Sequence, residues 1–157
     1  MCLGVYFVQI TGLTMRTILF VLLLFSGNIL FSQELPVKFT IENLRNADGS
    51  IVVSVYTDSK SFDDGLPSFH KVIPKKENTN NGILQAQFFL PPGVYGLVFT
   101  DDENNDGEMT NNFIGIPKEG FGFSNFYLKG FKKPTFSDFS FTLTENLEPI
   151  QVRLRYM

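Results

Sequence analysis

The stretch Gly82-Ile83-Leu84-Gln85-Ala86-Gln87-Phe88-Phe89-Leu90-Pro91-Pro92-Gly93-Val94-Tyr95-Gly96-Leu97-Val98-Phe99-Thr100 carries the reading of the fold. In its first half Leu84, Ala86, Phe88 and Leu90 alternate with Gln85, Gln87 and Phe89, the period of two that a half-buried strand requires. Pro91-Pro92-Gly93 ends that pattern, because proline lacks a ladder donor and glycine turns without steric cost. A second strand is expected over 94–100, with Tyr95, Leu97 and Phe99 on one face.

The same period recurs outward from this pair. Val37, Phe39 and Ile41 alternate with Lys38, Thr40 and Glu42. The turn Asn46-Ala47-Asp48-Gly49 is expected to join that strand in a hairpin to 50–57, where Ile51, Val53 and Val55 share a side. Phe139, Phe141 and Leu143 mark another strand, and Ile150, Val152, Leu154 and Tyr156 a last one. Residues 58–81 are less regular, with at most a helical turn around 66–71. The composition agrees: two alanines, Ala47 and Ala86, stand against 18 Phe, 13 Gly and 8 Pro, a mixture poor in helix formers. The expected fold is all-β, an antiparallel Ig-like or transthyretin-like β-sandwich of about seven strands with a long Gly/Phe-rich loop region.

Residues 1–32 read differently. Arg16 is their only charge, and Ile18 to Phe25 is unbroken apolar sequence. Starting from Met15, the segment reads as a Sec-type signal peptide with cleavage after Ser32. Residues 1–14 are then a mis-assigned start. The apolar run is shorter than the roughly 20 residues of a membrane span, so no membrane anchor is expected after cleavage. Residues 33–157 form the single expected domain, secreted or periplasmic in a bacterium. Cys2 is the only cysteine, so beyond residue 32 there is no disulfide, thiolate ligand or lipidation site. A net charge of −3 gives no electrostatic footprint for nucleic acid.

Two sets of residues resemble known families. Leu90-Pro91-Pro92-Gly93-Val94-Tyr95 is similar to the L-P-x-G-x-Y turn of transthyretin-like and carboxypeptidase-regulatory-like sandwiches. A second set comprises Leu44-Arg45-Asn46, Asp102-Glu103-Asn104, Gly107, the block from Asn112 through Gly115-Ile116-Pro117-Lys118-Glu119-Gly120-Phe121-Gly122-Phe123-Ser124-Asn125, and Pro134-Thr135-Phe136-Ser137-Asp138. It resembles the secreted bacterial family of domain of unknown function 2141, across essentially all of 36–156. That resemblance implies export and a sandwich-like fold, and it assigns no activity. Its loop pattern has a His before the Asp-Glu-Asn and an Asp after the Gly, where this chain has Asp101 and Thr110.

Asp102, Asn104 and Asp106 followed by Gly107 reproduce the start of the calcium loop D-x-[DN]-x-[DN]-G. Alternate residues of a coiled loop can turn their oxygens inward to a hard cation. Glu108 and Thr110 are the next candidate ligands, and Phe113 stands where an EF-hand needs its bidentate Glu, which excludes an EF-hand. Without a cation the same residues make an ordinary solvated turn. Calcium is the one cofactor the sequence suggests, at the weak dissociation constants of about 0.1–1 mM typical of extracellular modules.

The Gly/Phe-rich segment is expected to pack on itself as a second small core. Phe113, Phe121, Phe123 and Phe126 are the candidates if it instead forms an aromatic binding surface. His70, the only histidine, has no partner pattern of a catalytic base, and no nucleophile elbow, zinc set or phosphate loop is present, so no catalytic residue is assigned. The expectation is a non-enzymatic binding or structural module of the bacterial envelope, its partner an envelope protein or ligand. The alternatives are a small hydrolase using the paired acids Asp63-Asp64 or Asp101-Asp102, and a carrier holding an apolar ligand among Phe88, Phe99 and Phe141.

Overall fold

The computed structural model describes residues 33–107 and 118–157. The expected signal segment, Glu108, Thr110 and Phe113 lie outside the described residues. In chain order the elements are β1 (Leu35–Glu42), β2 (Ser50–Tyr56), α1 (Ser59–Asp63), β3 (Phe69–Pro74), α2 (Lys75–Asn78), β4 (Thr79–Asn80), β5 (Ile83–Leu90), β6 (Gly93–Asp102), β7 (Gly120–Phe123), α3 (Phe136–Phe139), β8 (Ser140–Leu143) and β9 (Ile150–Arg153). They form two sheets, one in the order β4-β5-β1-β9 and one in the order β3-β2-β6-β7, with β8 pairing the first part of β6. The protein is all-β, as its alternation implies.

Three expectations need correction. The hairpin between 37–42 and 50–57 does not form, because β1 pairs β5 while β2 pairs β3 and β6 in the other sheet. The intervening segment is too long for a tight hairpin turn. Asn43, at φ 68°, redirects it, and the Asn43 side chain donates to the Leu154 carbonyl at 2.9 Å. The sandwich is not wholly antiparallel either, since β9 runs parallel to β1 with Phe39 opposite Ile150 and Ile41 opposite Val152. The whole domain separates these two strands, so no hairpin constrains their direction. Finally, the helical turn falls at α1, where the Asp58 side chain caps the Ser61 amide, and 69–74 is the edge strand β3.

Between the sheets, Val37, Phe39 and Ile41 meet Leu84, Leu97, Phe99 and the inward residues of β2, all buried. The Phe39 ring lies 5.9 Å from Phe88 and 5.3 Å from Phe99, and Tyr95 packs on Phe141 at 6.4 Å. Side chains therefore fill the region that the apolar-carrier reading needs open. At the crossing from β5 to β6 the Tyr95 hydroxyl donates to the Pro91 carbonyl at 2.9 Å, fixing the Pro-Pro-Gly corner.

A second cluster covers the outer face of the other sheet, formed by Tyr56, Phe62, Phe121, Phe123, Phe136 and Phe139. Among the described residues of the Gly/Phe-rich segment, Phe121, Phe123, Phe136 and Phe139 thus pack on one another and on the sheet, while Phe131 is exposed. Phe121 and Phe123 are buried and Phe126 is half-buried, so these three do not form an exposed aromatic surface. The alternation in β7 explains how one short strand serves both sides. Phe121 and Phe123 turn outward to the cluster, while Gly120 and Gly122 face inward, letting the C-terminal segment approach closely. There Phe121 and Arg155 exchange backbone hydrogen bonds of 2.9 and 2.8 Å, stitching the two sheets along this edge.

A Cβ at Gly122 would lie 2.8 Å from Val152 Cγ1 and 3.2 Å from the Arg153 carbonyl oxygen. Gly122→Ala is expected to destabilise the domain by about 1–3 kcal/mol through overpacking, read as a lower urea midpoint at unchanged m-value.

Candidate cation site

The site begins with a parity rule. Along β6 the odd residues Tyr95, Leu97 and Phe99 face the core, so Asp101 faces inward and Asp102 outward. Sequence reading treats these neighbours as one acidic loop, but the strand sends them to opposite faces. This adjacent pair therefore does not converge on one cleft, and the carboxylate of Asp64 is held by Lys60 at 2.6 Å on the surface.

Asp101 lies in the core end with no exposed surface. Its Oδ1 accepts from Lys75 Nζ at 2.6 Å, and Lys75, the first residue of α2, is equally buried. Lys75 also donates to Asn46 Oδ1 at 3.0 Å, and the Tyr156 hydroxyl donates to Asp101 Oδ2 at 2.5 Å. Burial above all, then the hydrogen bond to Asp101 and its charge, push the Tyr156 phenol well above its usual range, so it stays a donor. The Arg45 guanidinium stacks over the Tyr156 ring at 3.8 Å.

Asp102 is nearly buried and organises the loop. Its carboxylate accepts from the amides of Asp106 at 3.2 Å and Gly107 at 2.9 Å. Asn104 is engaged inside the same turn, accepting from the Asp106 amide and donating to its carboxylate at 2.7 Å. Below, Gly49 has φ +75° and its backbone lies against the Asp102 carbonyl, so any side chain there would collide with the loop base.

Carboxylate oxygens of Asp102, Asp106 and Glu119 all lie within 4.8 Å of one another. Glu119 is buried and was not legible as a ligand from spacing. The ladder explains its position: Asp101 pairs Gly120, so one step further Glu119 stands across from Asp102 on the outward face. The structure thus brings together Asp102 and Asp106 of the sequence-predicted set with Asn104 beside them, and adds Glu119. Like charges placed directly across a ladder repel, and a cation held between them relieves that repulsion. On the same face a cleft of about 230 Å³ runs from Asp102 and Gly107 to Ser54 and His70. Ser54 Oγ and His70 Nδ1 are 3.1 Å apart, with His70 on β3 rather than in a loop.

Fold and site together define a two-sheet all-β domain that carries an oxygen-rich carboxylate cluster at one strand end. The chain belongs to a family described as uncharacterized protein conserved in bacteria (DUF2141), whose model matches residues 39–151. No curated protein matches the chain, and no solved structure does.

Removing one partner of a buried ion pair leaves the other charge uncompensated. Lys75→Met is therefore expected to cost about 3–5 kcal/mol of stability, measured by guanidinium unfolding.

Proposed function

We propose that this chain is an exported module of the bacterial envelope whose end loop binds calcium and is ordered by it for recognition of an envelope partner. The observation that carries the reading is the convergence of Asp102, Asp106 and Glu119 oxygens within 4.8 Å. Every donor is oxygen, which favours a hard cation over zinc or copper. Calcium suits the cluster better than magnesium because it accepts irregular, flexible coordination by six to eight oxygens. Glu108 and Thr110 follow in the sequence and offer further oxygens, with water completing the shell. The cation bridges the three carboxylates, and so couples the loop base at Asp102 to Glu119, the residue before β7. Export rests on the apolar segment before residue 33, and the non-enzymatic role on a site whose donors suit ion binding and need no reaction.

The test is calcium titration of the purified, chelator-treated chain, followed by calorimetry and by melting temperature. Binding in the range of about 0.1–1 mM with a rise in melting temperature is expected. Glu119→Gln, which keeps shape and removes a charge, should weaken binding about tenfold or more, measured on protein whose folding is checked by its calcium-free melting curve. A melting curve unmoved by calcium at about 10 mM would overturn the reading.

A further inference from the structure

The buried pair behind the loop has a chemistry that ion binding leaves unused. Lys75 Nζ and Asp101 Oδ1 lie 2.6 Å apart, and neither side chain reaches solvent. Contact with one carboxylate oxygen places the nitrogen beside the carboxyl carbon, and attack needs an approach of roughly 3–3.5 Å. Ile51, wholly buried, sits across the ladder from Asp101, so the surroundings on that side are apolar. The second carboxylate oxygen is held by the Tyr156 hydroxyl, and the amine is oriented by Asn46. Nucleophile and electrophile are therefore assembled out of reach of solvent, with a half-buried donor beside the developing oxyanion.

We propose that Lys75 and Asp101 condense into an intramolecular amide, an isopeptide cross-link between α2 and β6. The ion pair already holds every atom required. One ammonium proton passes along the existing hydrogen bond to Oδ1, leaving a neutral amine and a carboxylic acid. The Nζ lone pair attacks Cγ, and the charge that builds on Oδ2 is stabilised by the Tyr156 hydroxyl. A second proton moves from Nζ to the Oδ1 hydroxyl, the Cγ–Oδ1 bond breaks, and water leaves as the C=O double bond re-forms at Oδ2. The Nζ–Cγ bond remains, with one proton on nitrogen, and no oxidant or cofactor takes part. The product removes two charges from the interior. It also gives residues 33–157, which contain no cysteine, a covalent tie independent of redox conditions.

Intact mass spectrometry of the purified chain, with its N-terminus assigned by peptide mapping, decides the matter. The wild-type protein should be lighter than its sequence mass by one water, about 18 Da, and should stay so in denaturant. Its tryptic digest should contain a branched peptide joining Lys75 to the Asp101 segment, with no cleavage after Lys75. Lys75→Arg, which keeps a cation but cannot form this amide, should show its full sequence mass. Dehydration at Asp48-Gly49 or Asp106-Gly107 would give the same mass loss without the branched peptide and would survive Lys75→Arg, which overturns the proposal. So would a wild-type mass equal to the sequence mass after prolonged incubation of the folded protein at physiological temperature.

Discussion

A carboxylate and an ammonium with no access to water sit at one end of the core, and the neighbouring structure is arranged around that constraint. Neither Asp101 nor Lys75 could occupy its place alone, because an isolated buried charge costs several kcal/mol. The pair draws three distant pieces of chain to one point: the Asn46 turn, α2, and the C-terminal Tyr156. It also sets the candidate site. Once Asp101 is committed to the interior, strand geometry turns Asp102 to the outside, where its carboxylate can strap the amides of Asp106 and Gly107. The inner acid is paired with Lys75, and the outer one stands in the carboxylate cluster with Asp106 and Glu119.

β7 applies the same period of two to a different end. Its glycines admit the C-terminal segment on the inside, and its phenylalanines build the second cluster on the outside. That close approach seats Tyr156 against Gly120, beside Asp101. The strand also delivers Glu119 opposite Asp102, so the second core and the carboxylate cluster share one supporting element. Ser124, wholly buried, ties this element to the rest by accepting from the Leu97 amide at 3.0 Å and donating to the Phe139 carbonyl at 2.6 Å.

Much of this was legible along the chain. The strands with clean alternation, β1, β2, β5 and β6, lie where their apolar residues indicate. β3 was missed because an edge strand with most of its side chains exposed carries no apolar period. The crowding of Asp and Asn around residue 102 pointed to the loop in which the carboxylates of Asp102 and Asp106 come close to that of Glu119. Its division of labour was hidden, because Asp101 and Asp102 look alike until a face is assigned to each. Glu119 had no signal, since its relation to Asp102 exists only across a ladder.

The sequence by itself determined the strands β1, β2, β5 and β6 and the location of the acidic loop. These depend on periodicity and composition, which are local properties of the chain. Only the tertiary structure decided that β1 and β2 belong to different sheets, that β9 runs parallel to β1, and that Lys75 neutralises Asp101. Those outcomes depend on which apolar faces meet and which charges are buried together. They involve residues tens of positions apart, where no local pattern links one partner to the other.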